Sequence, residues 1–408
     1  MANKRDFEGK RLHHFELSGA NRTVRWVLIV ILLVIAAVAL SAGLMGALQT
    51  NAGWQTVEGN TTGLNCGDEF VLRYEFGAGD LSATAENKQL QQLYGKALED
   101  AWKLFFNEAG ATDLNGIHAI NANPNREITV DEGLYKALTQ MVQSGSRALY
   151  LAPVYAAYDG VFYSETDADA AQYDPALDDA QRSYVQALAQ WAMDPDMIEL
   201  RLLGENRVLL QVSEEYLAFR QEQEITNLVD FGWLRNAFIA DYIADLMTEN
   251  GLTNGFIASV DGFTRNLDRR DNSYVLNLFN LGDAGIDQAG TIEYSGPMSL
   301  VFLRAYPMYD QAFHRYYCYA DGRIVTAMID PVDGMSKAAL SNLVSYSEDL
   351  GCGQLALAMM PVFVADDFDE TALQSLVSQN IYSIWFRDHQ IHFNQPDLTL
   401  SPEDPYTK

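Results

Sequence analysis

The residues whose spacing points to chemistry are carboxylates placed beside glycines. Asp230-Phe231-Gly232 opens a helical stretch, Asp261-Gly262 follows a short apolar run, and Asp330-Pro331-Val332-Asp333-Gly334 ends another. Loops that start helices present free backbone N–H groups, and such groups bind phosphate. From the residues alone each segment is equally a piece of scaffold with well-placed turns. Other acidic groups have simpler readings. Asp366, Asp367, Asp369 and Glu370 suit a helix start, where carboxylates meet the positive end of the dipole, better than a metal site. Glu165, Asp167 and Asp169 lack the glycine and distal glutamate of a calcium loop, so 163–179 reads as a solvated loop. His389 and His392 are three apart in a strand pair and point to opposite faces, which argues against a shared metal.

Familiar catalytic patterns are missing. The sequence holds no phosphate-cradling glycine loop, no G-x-S-x-G elbow and no H-E-x-x-H helix. Cys66, Cys318 and Cys352 are too few and too scattered for a disulfide framework or a zinc site. One bridge with a leftover thiol and three reduced thiols both remain open.

The elements that must position these residues are strands and helices without regular alternation, which predicts an α+β fold. Phe70 to Phe76 reads as a strand. Leu90 to Ala109 and Asp131 to Ser144 carry helical spacing. Ile198 to Leu203 and Val208 to Val212 flank Gly204-Glu205-Asn206 as a hairpin. Gly232 to Asn250 is helical and stops at Gly251. Strands follow at Phe256 to Val260, Tyr274 to Leu278, Met298 to Leu303, Arg315 to Tyr319 and Ile324 to Ile329, and a last hairpin joins Tyr382 to Phe386 with Gln390 to Phe393.

Ahead of these lies an uncharged run, Trp26 to Leu48, long enough as a helix to cross a bilayer. Six of the 27 basic residues and three of the 55 acidic ones precede residue 50. The sequence thus predicts a basic cytoplasmic tail at 1–25, a transmembrane helix at 26–48 and a polar stalk at 49–69. The main domain at 70–395 then lies outside the cell membrane, with a polar tail at 396–408. A cleaved signal peptide is the alternative, although Ala37-Val38-Ala39 falls inside the apolar run rather than after it. The net charge of −28 excludes nucleic acid as a main partner.

The order of the central segments resembles that of the ApbE-type flavin transferases, the FAD:protein FMN transferases. Asp230-Phe231-Gly232 through Phe238 to Asp241, then Gly251, then Ser259 to Gly262, matches the family's D-L-G-G helix and its glycine-ended strand. Ala327 to Gly334, AMIDPVDG, matches a strand ending H-x-I-D-P-x-T-G, and Ile120-Asn121 and Ala152-Pro153 match weaker upstream features. The likeness spans roughly residues 70 to 395. It implies an FAD-binding site made by Asp230, Trp233, Asn236, Asp261, Gly262 and Asp333, with Asp230 contacting the flavin. It also implies a magnesium ion, and transfer of FMN to a Thr or Ser of an exported or membrane redox protein.

The departures fall where that chemistry lies. The family histidine is Ala327, the threonine before the last glycine is Asp333, and the Gly-Gly turn is Asp261-Gly262. The late magnesium cluster falls on Gln354, Leu357 and Ala358, and Leu and Ala offer no oxygen to a hard cation. Asp333, Asp330 and Asp261 are the only replacements in view, and nothing in their spacing demands a metal. The expectation is a degenerate site in a non-catalytic member that binds flavin, another ligand or a partner. The alternatives are a divergent active transferase and a scaffold that binds no flavin. The chain lacks the acceptor pattern D-x-x-S/T-G-A-T, so it is not expected to carry flavin itself.

Overall fold

In the computed structural model, eight strands among the described residues form one antiparallel sheet whose spatial order follows the chain. They are β1 (Gly53–Val57), β2 (Phe70–Phe76), β3 (Gly255–Ser259), β4 (Phe263–Asn266), β5 (Met298–Arg304), β6 (Asn342–Ser347), β7 (Tyr382–Arg387) and β8 (Gln390–Phe393). The structure describes residues 50–59, 66–79, 81–282, 285–308, 314–387, 390–395 and 400–402. In β2 the alternation of apolar residues sends Phe70, Leu72, Tyr74 and Phe76 inward. Every residue of β6 is buried, because that strand is covered on both sides.

Three helices cover one face: α1 (Ala83–Phe105), α2 (Arg235–Glu249) and α3 (Cys352–Phe363). The second packs on β3 and β4 and against both other helices. Over β5 to β7 a long hairpin, Ser273–Gly282 with Gly285–Ser295, closes a smaller core in which Leu278 and Ile292 meet Leu300, Val344, Ile384 and Phe386. The helix starts follow the sequence. Ser82 caps α1 and Asp131 caps the helix Glu132–Gln143. Gly251, at φ 69°, ends the region of α2. Asp369 caps the helix Glu370–Ser375, which bears out the structural reading of that acidic cluster.

Several expectations are corrected. Residues 53–57, read as stalk, are the edge strand β1, paired residue by residue with β2. The stretch 163–179 is not a plain loop: Asp167–Tyr173 is helical, and Asp167 and Asp174 make internal contacts, while Glu165, Asp169 and Asp179 are exposed. Asp167 accepts from Tyr317 Oη and from the Ala320 N–H, and the buried Asp174 accepts from Tyr319 Oη and Arg323. In the expected C-terminal tail, Leu400–Pro402 adds a strand beside Gly285–Ser295. None of the three cysteines forms a disulfide, and burial pushes the Cys66 thiol up to about 12. Among the described residues no helix is long and apolar enough to cross a membrane. This overturns the expected single-pass placement for that part of the chain, while the expected anchor at 26–48 lies outside the described residues.

Candidate functional site

The site forms where the β3–β4 turn meets the start of α2. Gly262 turns the chain at φ 107°, and a Cβ there would fall 2.6 Å from the Phe302 carbonyl oxygen. Only glycine allows this approach of the turn to β5. Gly232, at φ 55°, lets the single helical turn Gly232–Leu234 pass under the Tyr155 ring, where a Cβ would sit 2.3 Å away. That turn delivers Trp233 and Asn236.

Between these parts lies a small open cleft with an accessible volume of ≈ 20 Å³. Trp233, Phe263, Phe302 and Tyr316 supply aromatic walls, and Asp261 and Arg315 supply charge. Ala327 also lines it, so a methyl group stands where the family histidine is expected. Arg315 ties the wall together: it donates to Glu69 Oε2 and lies 2.7 Å from Asp261 Oδ2. Asn236 Nδ2 donates to Glu69 Oε2 at 2.7 Å and to Asp261 Oδ1 at 3.2 Å, and Ser259 Oγ donates to the same Asp261 oxygen at 2.5 Å.

Two polar atoms of this wall have no hydrogen-bond partner: the indole N–H of Trp233, a residue 6% exposed, and Oδ1 of Asn236, a residue with no exposure. Arg315 Nη1 and Asp261 Oδ2 face each other as an ion pair but are not aligned as a hydrogen bond. Buried donors and acceptors without partners are rare in folded proteins. Trp233 lines the cleft, while Asn236 lies behind it, held to Glu69 and Asp261.

The predicted residues divide into two sets. Trp233 and Asp261 line the cleft, Asn236 binds Asp261 from behind it, and Gly262 turns the chain beside Asp261. Asp230 does not line it. Its Oδ1 accepts from the Gly232 N–H at 2.6 Å and its Oδ2 from Asn107 Nδ2 at 2.7 Å, so it fastens the loop before α2. Asn121 supports the same loop, accepting from the N–H groups of Leu228 and Val229. Nor does Asp333 line the cleft. It accepts from the Met335 N–H and pairs with Lys337, whose Nζ also lies 2.9 Å from Asp330 and 2.9 Å from Asp366. Of the positions expected to replace the magnesium ligands, Gln354 is exposed, Leu357 is buried in the core and Ala358 packs against it. Glu69, Arg315 and Phe302 were not foreseen. The only signal for Arg315 is a basic residue in a strongly acidic chain, and its partner Glu69 lies 246 positions away.

Asp159 stands near Glu108 and Asp230. Burial of its carboxyl and those two charges push it up to about 6, against the pull of His314 and Arg235. With the folded value above the unfolded one, its contribution to stability is full below about pH 4 and falls as pH rises toward 6. Because the residue is exposed at the surface, solvent screens most of this. Asp159→Asn is therefore expected to stabilise the chain by no more than about 1 kcal/mol at neutral pH. Urea unfolding at both pH values checks this: a gain that persists at acid pH would contradict the electrostatic origin.

No family model matches the sequence, and no curated protein matches it. Solved structures do. The ApbE protein of Thermotoga maritima superposes with TM-score 0.55 at 13% identity, covering 79% of this chain and 93% of its own. The flavin transferase ApbE of Vibrio cholerae gives 0.51 at 13%, covering 84% and 97%. The flavinyl transferase ApbE of Pseudomonas stutzeri gives 0.50 at 12%, covering 85% and 94%. The chain therefore has the ApbE flavin-transferase fold. Its sequence is divergent from those structures, and the likeness is one of fold.

Proposed function

We propose that this ApbE-fold chain binds a flavin and does not transfer FMN. Transfer from FAD needs a seat for the phosphates and a cation to neutralise them. The observation that carries the proposal is that the loops suited to that task are closed by the chain's own carboxylates. Asp230 takes the Gly232 N–H, Asp330 takes that of Val332, and Asp333 takes that of Met335. At the start of α3, Asp241 takes the N–H groups of both Cys352 and Gly353. Carboxylates thus stand at the amides a phosphate would use. Magnesium fits no better, since Leu357 and Ala358 present carbon and Lys337 already holds Asp330 and Asp333. Flavin as the ligand is supported by the likeness of fold to the flavin transferases.

The test uses the full chain with FAD, magnesium and a peptide bearing D-x-x-T-G-A-T. Flavin fluorescence is expected to change on binding, and no flavin should remain on the peptide after denaturation. Cation-dependent covalent labelling would overturn the reading. Absence of all flavin binding would leave a scaffold that has kept only the fold.

A further inference from the structure

We infer that the hairpin strand Ser273–Gly282 is a dimer edge, where a second copy of this chain adds the same strand antiparallel about a two-fold axis. This surface is independent of the flavin reading. The strand is ten residues long, SYVLNLFNLG, with no charged residue and no proline. Among the described residues it pairs on one side only, with Gly285–Ser295, whose other side is taken by Leu400–Pro402. No backbone bond outside the hairpin engages Ser273–Leu278 among those residues. Exposed edges are normally short, or guarded by charge or proline, because unpaired N–H and C=O groups recruit another strand. The chain's other edge strands follow that rule. Gly53–Val57 and Gln390–Phe393 are five and four residues long, Ile198–Gly204 carries Glu199 and Arg201, and Leu400–Pro402 ends in proline.

The strand is fixed at both ends, so it offers a preformed template. At its start Tyr274 stacks on Tyr294 at 5.5 Å, meets the Trp54 ring edge-on at 6.0 Å and donates to the buried Asp268 at 2.5 Å. Beyond the irregularity after Leu278, the Phe279 carbonyl accepts from Tyr306 Oη and Asn342 Nδ2. The open part is therefore Ser273–Leu278. There Ser273, Val275 and Asn277 are exposed, Val275 by 58%, while Tyr274, Leu276 and Leu278 turn inward.

Charge selects the occupant. The chain carries a formal net charge of −28, so a second copy is repelled over most of its surface. On this strip no like charges meet, because the two-fold sets a neutral strand beside an identical neutral strand. The charges around it are of both signs: exposed Arg269 and Asp271 precede the strand, and exposed Asp287 and Glu293 stand one strand back from the edge. Antiparallel addition carries Arg269 of one copy toward the hairpin end that bears Asp287 in the other. A basic partner would find no carboxylate on the strand itself.

Light scattering of the full chain from about 1 to 200 µM is expected to show the mass rising from monomer to dimer and stopping there. Val275→Lys puts a charge on the edge and is expected to weaken association at least about tenfold, with the unfolding midpoint of the dilute chain unchanged. Asn277→Lys serves the same purpose should that variant fail to fold. Leu177→Lys, at an exposed site just before the helix Asp179–Met193, is expected to leave the dimer intact. A parent that stays monomeric throughout would overturn the pairing and leave a strand of another protein as the occupant. Dimers that survive both edge substitutions would overturn it too, and would place association elsewhere, as on the apolar run 26–48. Mass that grows past the dimer would exclude a closed two-fold pair.

Discussion

Asp241→Ala is expected to destabilise the chain by about 3–5 kcal/mol, because it breaks a buried ion pair from one side. Asp241 sits on α2 and is almost fully buried. Its Oδ1 accepts from Arg265 Nη1 at 2.8 Å and from the Cys352 N–H at 2.8 Å, and its Oδ2 accepts from the Gly353 N–H at 2.9 Å. One carboxylate therefore joins α2, β4 and the start of α3. Burial raises its pKa, while Arg265 and the two amides oppose that rise. Gly351, the residue before α3, has to be small, since a Cβ there would lie 2.4 Å from Asp241 Oδ2. Alanine at 241 leaves a buried guanidinium uncompensated and two helix-terminal N–H groups without an acceptor. Urea unfolding of the full chain measures the loss as a shift of midpoint at constant slope. Adding Arg265→Met to Asp241→Ala is expected to recover part of it, because the stranded charge is then gone. A single-variant loss under about 1 kcal/mol would show that the pair is not what anchors α3.

Elements governed by local pattern were legible in the sequence. Strand β2 follows from alternation over Phe70–Phe76, α2 from its apolar stripe and the stop at Gly251, and the hairpin Ile198–Val212 from Gly204-Glu205-Asn206. Elements governed by distant partners were not. Strand β1, with the polar sequence GWQTV, is ordered by its ladder to β2 rather than by any apolar alternation of its own. Helix α3 is apolar nearly all round and carries Pro361, so no helical stripe announces it. It is set by burial against the sheet and by the cap from Asp241. The candidate site divides in the same way. Asp261-Gly262 and the turn bearing Trp233 were marked by glycines, and the fold brings them together. Asp230 and Asp333 were marked equally well but serve their own loops, because a carboxylate two residues before an N–H closes an Asx turn. Whether such a carboxylate faces a ligand or its own backbone is decided by tertiary contacts that residue spacing does not encode.

Arg315→Ala tests whether the cleft wall is one electrostatic unit. The guanidinium lies between Glu69, at the start of β2, and Asp261, in the β3–β4 turn, and both carboxylates are also bound by Asn236 Nδ2. Removing the cation leaves two nearly buried negative charges sharing one amide, and a loss of about 3 kcal/mol is expected. Arg315→Lys should recover little of it, because a single ammonium does not reproduce the two-sided reach of the planar guanidinium. Arg315→Met with Glu69→Gln and Asp261→Asn removes every charge at once and keeps the volume. That triple variant is expected to lie within about 1 kcal/mol of the parent, since a buried ionic network replaced whole by neutral groups loses its desolvation cost together with its attraction. Unfolding midpoints of the three variants decide the matter. Were Arg315→Ala and the triple variant equally destabilised, the contribution of Arg315 would not lie in the balance of charge.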